Sequence, residues 1–141
     1  MTDYLDAAMV EKFYVDEFAP WVKALGVKVL ETGVKRSVFR LPISAELIRG
    51  GGTPVMSGQA IAAAADTVTV LALMAANNGY RNCTTVDMTV HFMRPVVDAD
   101  LILTADILSN GRRMATTRIT GEVEGTGKAA ISATLAFAYL E

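Results

Sequence analysis

The run from Ser57 to Asn78, SGQAIAAAADTVTVLALMAANN, limits what this chain can become. It is apolar almost throughout, rich in Ala, and carries one carboxylate, Asp66, near its middle. Ala and Leu favour helix, Ser57 suits the cap at its start, and Gly79 supplies a stop signal. The spacing predicts a helix over about residues 57–76. A helix this apolar has to be covered on nearly every side. A membrane would cover it, but a central Asp flanked by Thr67 and Thr69 is costly in lipid. The shell is therefore expected to come from the rest of the chain. A carboxylate buried there needs a partner or a raised pKa. Thr67, Thr69, Gln59 or an Arg could serve as a purely structural partner.

The remaining sequence supplies such a shell. VKVLE and RSVFRLPI alternate around a turn at Gly33 and read as two strands. After the helix come four more: NCTTVDMTVHFMRPV, DLILTADILSN, RRMATTRITGEVEG and KAAISATLAFAYL. Their joints VVDAD, NGR and GTG are turn sequences. In the first of the four, alternation puts Thr85, Asp87, Thr89 and His91 on one side and Val86, Met88, Val90 and Phe92 on the other. Residues 3–25 have helical spacing, with Leu5, Met9, Val10, Phe13 and Phe18 on one face and Asp6, Glu11, Lys12, Asp16 and Glu17 largely off it. Pro20 breaks this helix or starts a second one, and Gly26 ends it. The economical arrangement is an α+β domain, an antiparallel sheet of about six strands curled around the long helix.

At 141 residues the chain is the size of one domain. Its apolar fraction is 52% against 20% charged, so part of the surface is expected to be covered by a second subunit. The net charge of -2 argues against nucleic-acid binding. A single Cys, Cys83, excludes an intramolecular disulfide and fits a reducing compartment. The opening MTDYLDAAMVEKFY has acids where a signal peptide would have bases, so a cytoplasmic location is expected.

Order and motifs together resemble the hotdog-fold acyl-CoA thioesterases of the phenylacetate-degradation (PaaI-like) type. That family carries His-Gly-Gly at the start of the central helix and an acid nine residues after the His. A later strand ends in aromatic-x-Arg-Pro. Here SGQAIAAAAD gives Gly58 and Asp66 at matching places, and TTVDMTVHFMRP gives Phe92, Arg94 and Pro95. The last hairpin, NGRRMATTRITGEVEGTGKAAISATLAFAYL, is similar too. The likeness covers about residues 26–140, with residues 1–25 as an extra N-terminal helical segment before a hotdog domain over 26–141. Ser57 stands where the family has His and Gln59 where it has the second Gly, and the Asn found upstream in some relatives has no counterpart in RGGG.

The resemblance implies thioester hydrolysis. Asp66 would activate water as general base or attack the carbonyl itself. The first-turn N–H of Gly58 or Gln59 would meet the oxyanion, and glycine at 58 allows close approach. Eight residues of helix separate Gly58 from Asp66 by about 12 Å, while both groups must stand ~3 Å from the reacting centre. One chain cannot bring them to one carbonyl, but two antiparallel helices across a two-fold axis can. A homodimer with two sites, itself expected to pair into a dimer of dimers, agrees with the family's sites at dimer interfaces.

Thr84 or Thr85, at the start of the following strand, would orient the water or Asp66, as a Ser near this position does in relatives. Ser57 is read as a cap and, with Thr84, as a candidate substrate contact, and Gln59 as a first-turn polar contact. Arg94, Arg112 and Arg113 are candidates for the phosphates of coenzyme A, which enters only as part of the substrate. The acyl group is expected against Met56, Val68, Leu71, Met93 or the N-terminal helix. His91 is the only His and lacks metal-ligand company, so neither metal nor cofactor is expected. Asp87 and Asp106 read as solvated strand positions. There is no G-x-S-x-G elbow, and RGGGTP lacks a phosphate loop's Lys-Ser/Thr ending. The alternatives are a hotdog hydratase or dehydratase, which needs a His near the helix, and a module that binds acyl-CoA without turnover.

Overall fold

The computed structural model describes residues 3–141; residues 1 and 2 of the expected N-terminal segment lie outside the described residues. The chain opens with two helices, α1 (Ala7–Glu17) and α2 (Pro20–Lys23). Two strands follow, β1 (Lys28–Glu31) and β2 (Arg36–Leu41), then the long helix α3 (Gly58–Ala76). The remaining strands are β3 (Cys83–Phe92), β4 (Leu101–Asn110), β5 (Met114–Val123) and β6 (Lys128–Tyr139). All pairings are antiparallel, in the spatial order β1-β2-β4-β5-β6-β3. The sheet curls around α3, which touches β2, β3, β4, β5 and β6. This is the hotdog architecture.

Small side chains let the sheet close on the helix. Ala64, Ala65, Ala72 and Ala75 are fully buried, with Val68 and Leu71 between them. Phe39, Leu101, Leu103, Ile119, Leu135 and Phe137 come from the sheet into the same core. Val68 and Leu71, expected near the ligand, thus belong to the core. One polar pair is embedded here. Thr69 donates to the carbonyl of Ala65 at 3.0 Å, which uses its proton, so Thr117 is the donor in the 3.1 Å bond between the two hydroxyls. By length and composition α3 could cross a membrane, but most of it is enclosed by the sheet.

Pro20 opens α2, as its fixed φ favours at a first helical position. On α1 the buried residues are Val10 and Tyr14, whereas Met9 is largely exposed. The expected apolar face is therefore rotated. Tyr14 explains why: its hydroxyl donates to the carbonyl of Val22 at 2.6 Å and drives the ring inward. Asp106 is not simply solvated, because Arg36 Nε reaches its carboxylate at 2.6 Å.

Gly121 marks the tightest packing. A Cβ there would stand 2.7 Å from Ile131 Cγ1 and 3.2 Å from both Leu101 Cδ1 and Leu103 Cδ2. Gly121→Ala is expected to destabilise the fold by about 1–3 kcal/mol. The urea midpoint should fall with unchanged slope; an unaltered midpoint would show that the core yields there.

Candidate active site

Ser57 has extended backbone angles, and its hydroxyl accepts from Ala60 N at 3.1 Å. It caps α3. The N–H of Ile61 is taken by the carbonyl of Ser57, and among the described residues those of Gly58 and Gln59 at the helix start have no acceptor. Gly58 faces the ring of Phe92 at the far end of β3, where an added Cβ would lie 3.5 Å from Cζ. The Gln59 side chain is exposed.

One stripe of α3 escapes the sheet. Gly58, Ala62, Ala63, Asp66 and Val70 are half-buried, and Gln59 is exposed. Asp66 thus lies in the open part of an otherwise enclosed helix. Thr85 Oγ1 donates to its Oδ1 at 2.7 Å. Thr67 and Thr69 do not serve Asp66; their hydroxyls turn back to the carbonyls of Ala63 and Ala65.

A β-bulge makes the Thr85 contact possible. Thr85 pairs with Phe137 and Asp87 with Ala136, so Val86 is an extra residue in β3. Phe137, Leu135, Ala133 and Ile131 point into the core from β6, and their partners Thr85, Met88, Val90 and Phe92 share that side. Strict alternation would have placed Thr85 with Asp87, Thr89 and His91. Instead those three face outward, as does Thr84, whose partner is Ala138. The structure therefore joins Thr85 to Asp66 and separates Thr84 and His91 from it.

The two ends of the stripe differ. At the Gly58 end a groove of about 350 Å³ is lined by Met56, Ile61, Phe92 and Met93, with Arg49 and Arg94 among its walls. Arg94 Nε donates to the carbonyl of Ala129 at 2.8 Å, which fixes the guanidinium. Beyond Asp66, a second cavity of about 400 Å³ is lined by Phe13, Phe18, Val70, Tyr80 and Cys83. At this same end of the sheet Arg112 and Arg113 lie in a groove with Arg81 and Tyr139. Arg94 and the Arg112–Arg113 pair are thus not together within one chain.

Arg49 and Arg81 were not apparent from the sequence. Arg81 stacks over the Tyr139 ring at 3.5 Å and donates to the carbonyl of Arg112 at 2.7 Å, so it holds the β4–β5 turn. Its only sequence signal is its place two residues after Gly79. Arg49 opens the Gly-rich loop, whose glycines at 51 and 52 take positive φ and fold it toward the helix start. Among the described residues no group of His, Cys, Asp and Glu is arranged to hold a metal.

A sequence model described as the thioesterase superfamily matches residues 54–130. No curated protein sequence matches the chain. Solved structures resemble it in fold. Zebrafish thioesterase superfamily member 2 aligns with a TM-score of 0.83 at 20% identity, over 96% of this chain and 99% of that one. The mouse thioesterase superfamily member 2 gives 0.80 at 19%, over 94% and 96%. A thioesterase from Haemophilus influenzae gives 0.78 at 19%, over 90% and 85%.

Burial pushes the Cys83 thiol up from its ordinary pKa, and the charge of Asp66 adds to the rise. Alkylation of Cys83 should therefore lag behind a free thiol at neutral pH. Asp66→Asn removes the charge, so the pKa should fall and iodoacetamide labelling at pH 8 should quicken. Equal rates in both proteins would mean that the two groups do not sense each other.

Proposed function

Because the chain belongs to the thioesterase superfamily, we propose that it hydrolyses an acyl-CoA thioester to the free acid and coenzyme A. The observation that carries this reading is the hydrogen bond from Thr85 to a half-buried Asp66. It leaves Oδ2 of the carboxylate free to act. Asp66 takes a proton from water as the water attacks the carbonyl carbon, or attacks that carbon itself. The negative oxygen that forms is met by the N–H of Gly58 or Gln59, strengthened by the helix dipole. Collapse expels the CoA thiolate, which recovers a proton; where Asp66 itself attacked, water then hydrolyses the mixed anhydride on its carboxylate to release the acid and restore Asp66. Gln59 contacts the substrate from the first turn, and Ser57 supports it by holding that turn open.

The site needs two chains. Asp66 and Gly58 lie on one stripe of α3 but near opposite ends of β3, beside Thr85 and Phe92 respectively. β3 is the long edge of the sheet and is exposed on both faces, Val86 at 56% and Phe92 at 53%. An exposed apolar edge of this length calls for a partner. If β3 pairs antiparallel with its copy about a point between Thr85 and Phe92, Asp66 of one protomer meets the helix start of the other. The same operation carries the partner's groove containing Arg49 and Arg94 toward the end bearing Arg112 and Arg113. Cations from both chains then surround the phosphates of coenzyme A.

The binding-only alternative draws on Ser57, which replaces a His and is already engaged as a cap. Hydratase chemistry is disfavoured, because His91 lies on the outer face, across the sheet from Asp66.

Release of free thiol from a panel of acyl-CoAs tests the reading. Asp66→Asn should lower kcat by about 10²–10⁴ with the fold retained. Tight binding without turnover by the wild type would make the protein a carrier. Met88→Glu, on the edge strand, should yield a monomer by sedimentation and abolish hydrolysis while preserving the circular dichroism spectrum. An active monomer would refute the shared site.

A further inference from the structure

Phe13 of α1 and Phe18, which caps its end, lie outside residues 54–130, the part of the chain that matches the family. Yet α1 is firmly fixed. Val10 and Tyr14 are buried, Glu11 accepts from Val29 N at 2.8 Å, and Leu5 N donates to the carbonyl of Ala75 at 3.1 Å. The helix is therefore a standing wall. What it presents to α3 is aromatic. Phe13 stacks on Tyr80 with ring centroids 5.3 Å apart, and Phe18 meets Phe13 edge-on at 6.1 Å. These rings are only partly buried, and Tyr80 is 48% exposed. They surround the cavity of about 400 Å³ whose remaining walls are Val70, Cys83 and Glu17.

The cavity lies beside the Asp66 site, and two of its wall residues, Val70 and Cys83, neighbour that site along α3 and β3. Val70 lies one helical turn beyond Asp66 on the same stripe. Cys83 precedes Thr85 by two residues and shares its side of β3. A carbonyl beside Asp66 therefore has an apolar space about one helical turn away.

We infer that this cavity receives the apolar acyl group of the thioester, and that Phe13, Phe18 and Tyr80 of this chain set its upper size. The inference rests on the hydrolase reading for the substrate's identity as a thioester. A cavity of ~150 Å³ holds a benzene; this one is open to solvent on one side, so only part of its volume encloses a ligand, and it suits an acyl group on the order of ten carbons. Glu17 at the wall repels an acyl group that ends in a second carboxylate.

Thiol release decides the matter with acetyl-, butyryl-, octanoyl-, decanoyl-, palmitoyl-, phenylacetyl- and succinyl-CoA. For the wild type kcat/KM should rise about fourfold per methylene up to octanoyl or decanoyl and fall at palmitoyl. Succinyl-CoA should be poorer than butyryl-CoA. The octanoyl and phenylacetyl arms tell a chain from a ring. Val70→Phe, which fills the cavity, should lower the octanoyl-to-acetyl ratio at least tenfold, and Phe13→Ala should move the optimum toward palmitoyl. An unchanged profile in both variants overturns the inference while leaving hydrolysis established. If no acyl-CoA is cleaved, the hydrolase reading fails, and calorimetry with S-octyl-CoA, a thioether, tests the cavity alone. Binding weakened tenfold by Val70→Phe upholds it; equal affinity overturns it.

Discussion

The enclosure of α3 by a sheet that almost, but not quite, surrounds it governs everything else in this protein. Alanines at the contact points bring the strands close enough for one layer of Leu, Ile and Phe to fill the space. The sheet runs out at β3, so one strip of the helix stays open. A carboxylate is tolerable only on that strip, where water and a hydroxyl can reach it. Asp66 is there, and the N–H groups of the helix start open onto the same strip.

Much of this was legible from the residues. The Ala-rich run, its Ser cap and the turn residues between strands fix the element order, and Gly58 and Asp66 stand out within it. Other features depend on events that periodicity does not encode. The bulge at Val86 turns Thr85 toward Asp66 against the alternating pattern. The hydroxyl of Tyr14 rotates α1, so that Phe13 and Phe18 line a cavity while Met9 faces solvent. The stop of α3 was read at Gly79, yet Asn78 is the residue that adopts the left-handed conformation at φ 55°. Arg81 offered only its place after Gly79, because its role arises where α3, β6 and the β4–β5 turn converge.

That convergence is itself a structural knot. Asn77 at the end of α3 donates to the hydroxyl of Tyr139, Tyr139 donates to Asn110, and Asn110 donates back to Asn77. Three elements are closed into a ring of side-chain hydrogen bonds beneath the guanidinium of Arg81. The ring keeps the Arg112–Arg113 turn at a fixed height relative to the helix, with little reliance on apolar packing. The opposite end, around Arg49, is built on glycines, two of which take positive φ.

The two borders of the sheet are unequal. β1 has four residues, an irregular register between Val29 and Glu31, and a backbone N–H already taken by Glu11 of α1. β3 runs for ten residues and has no such cover. A sheet with a single adhesive margin can be joined once; a second copy laid against that margin presents only blunted β1 strands to the outside. Under the proposed pairing, growth by strand addition would stop at two chains, since the β1 margins left outside are short, irregular and already bonded to α1.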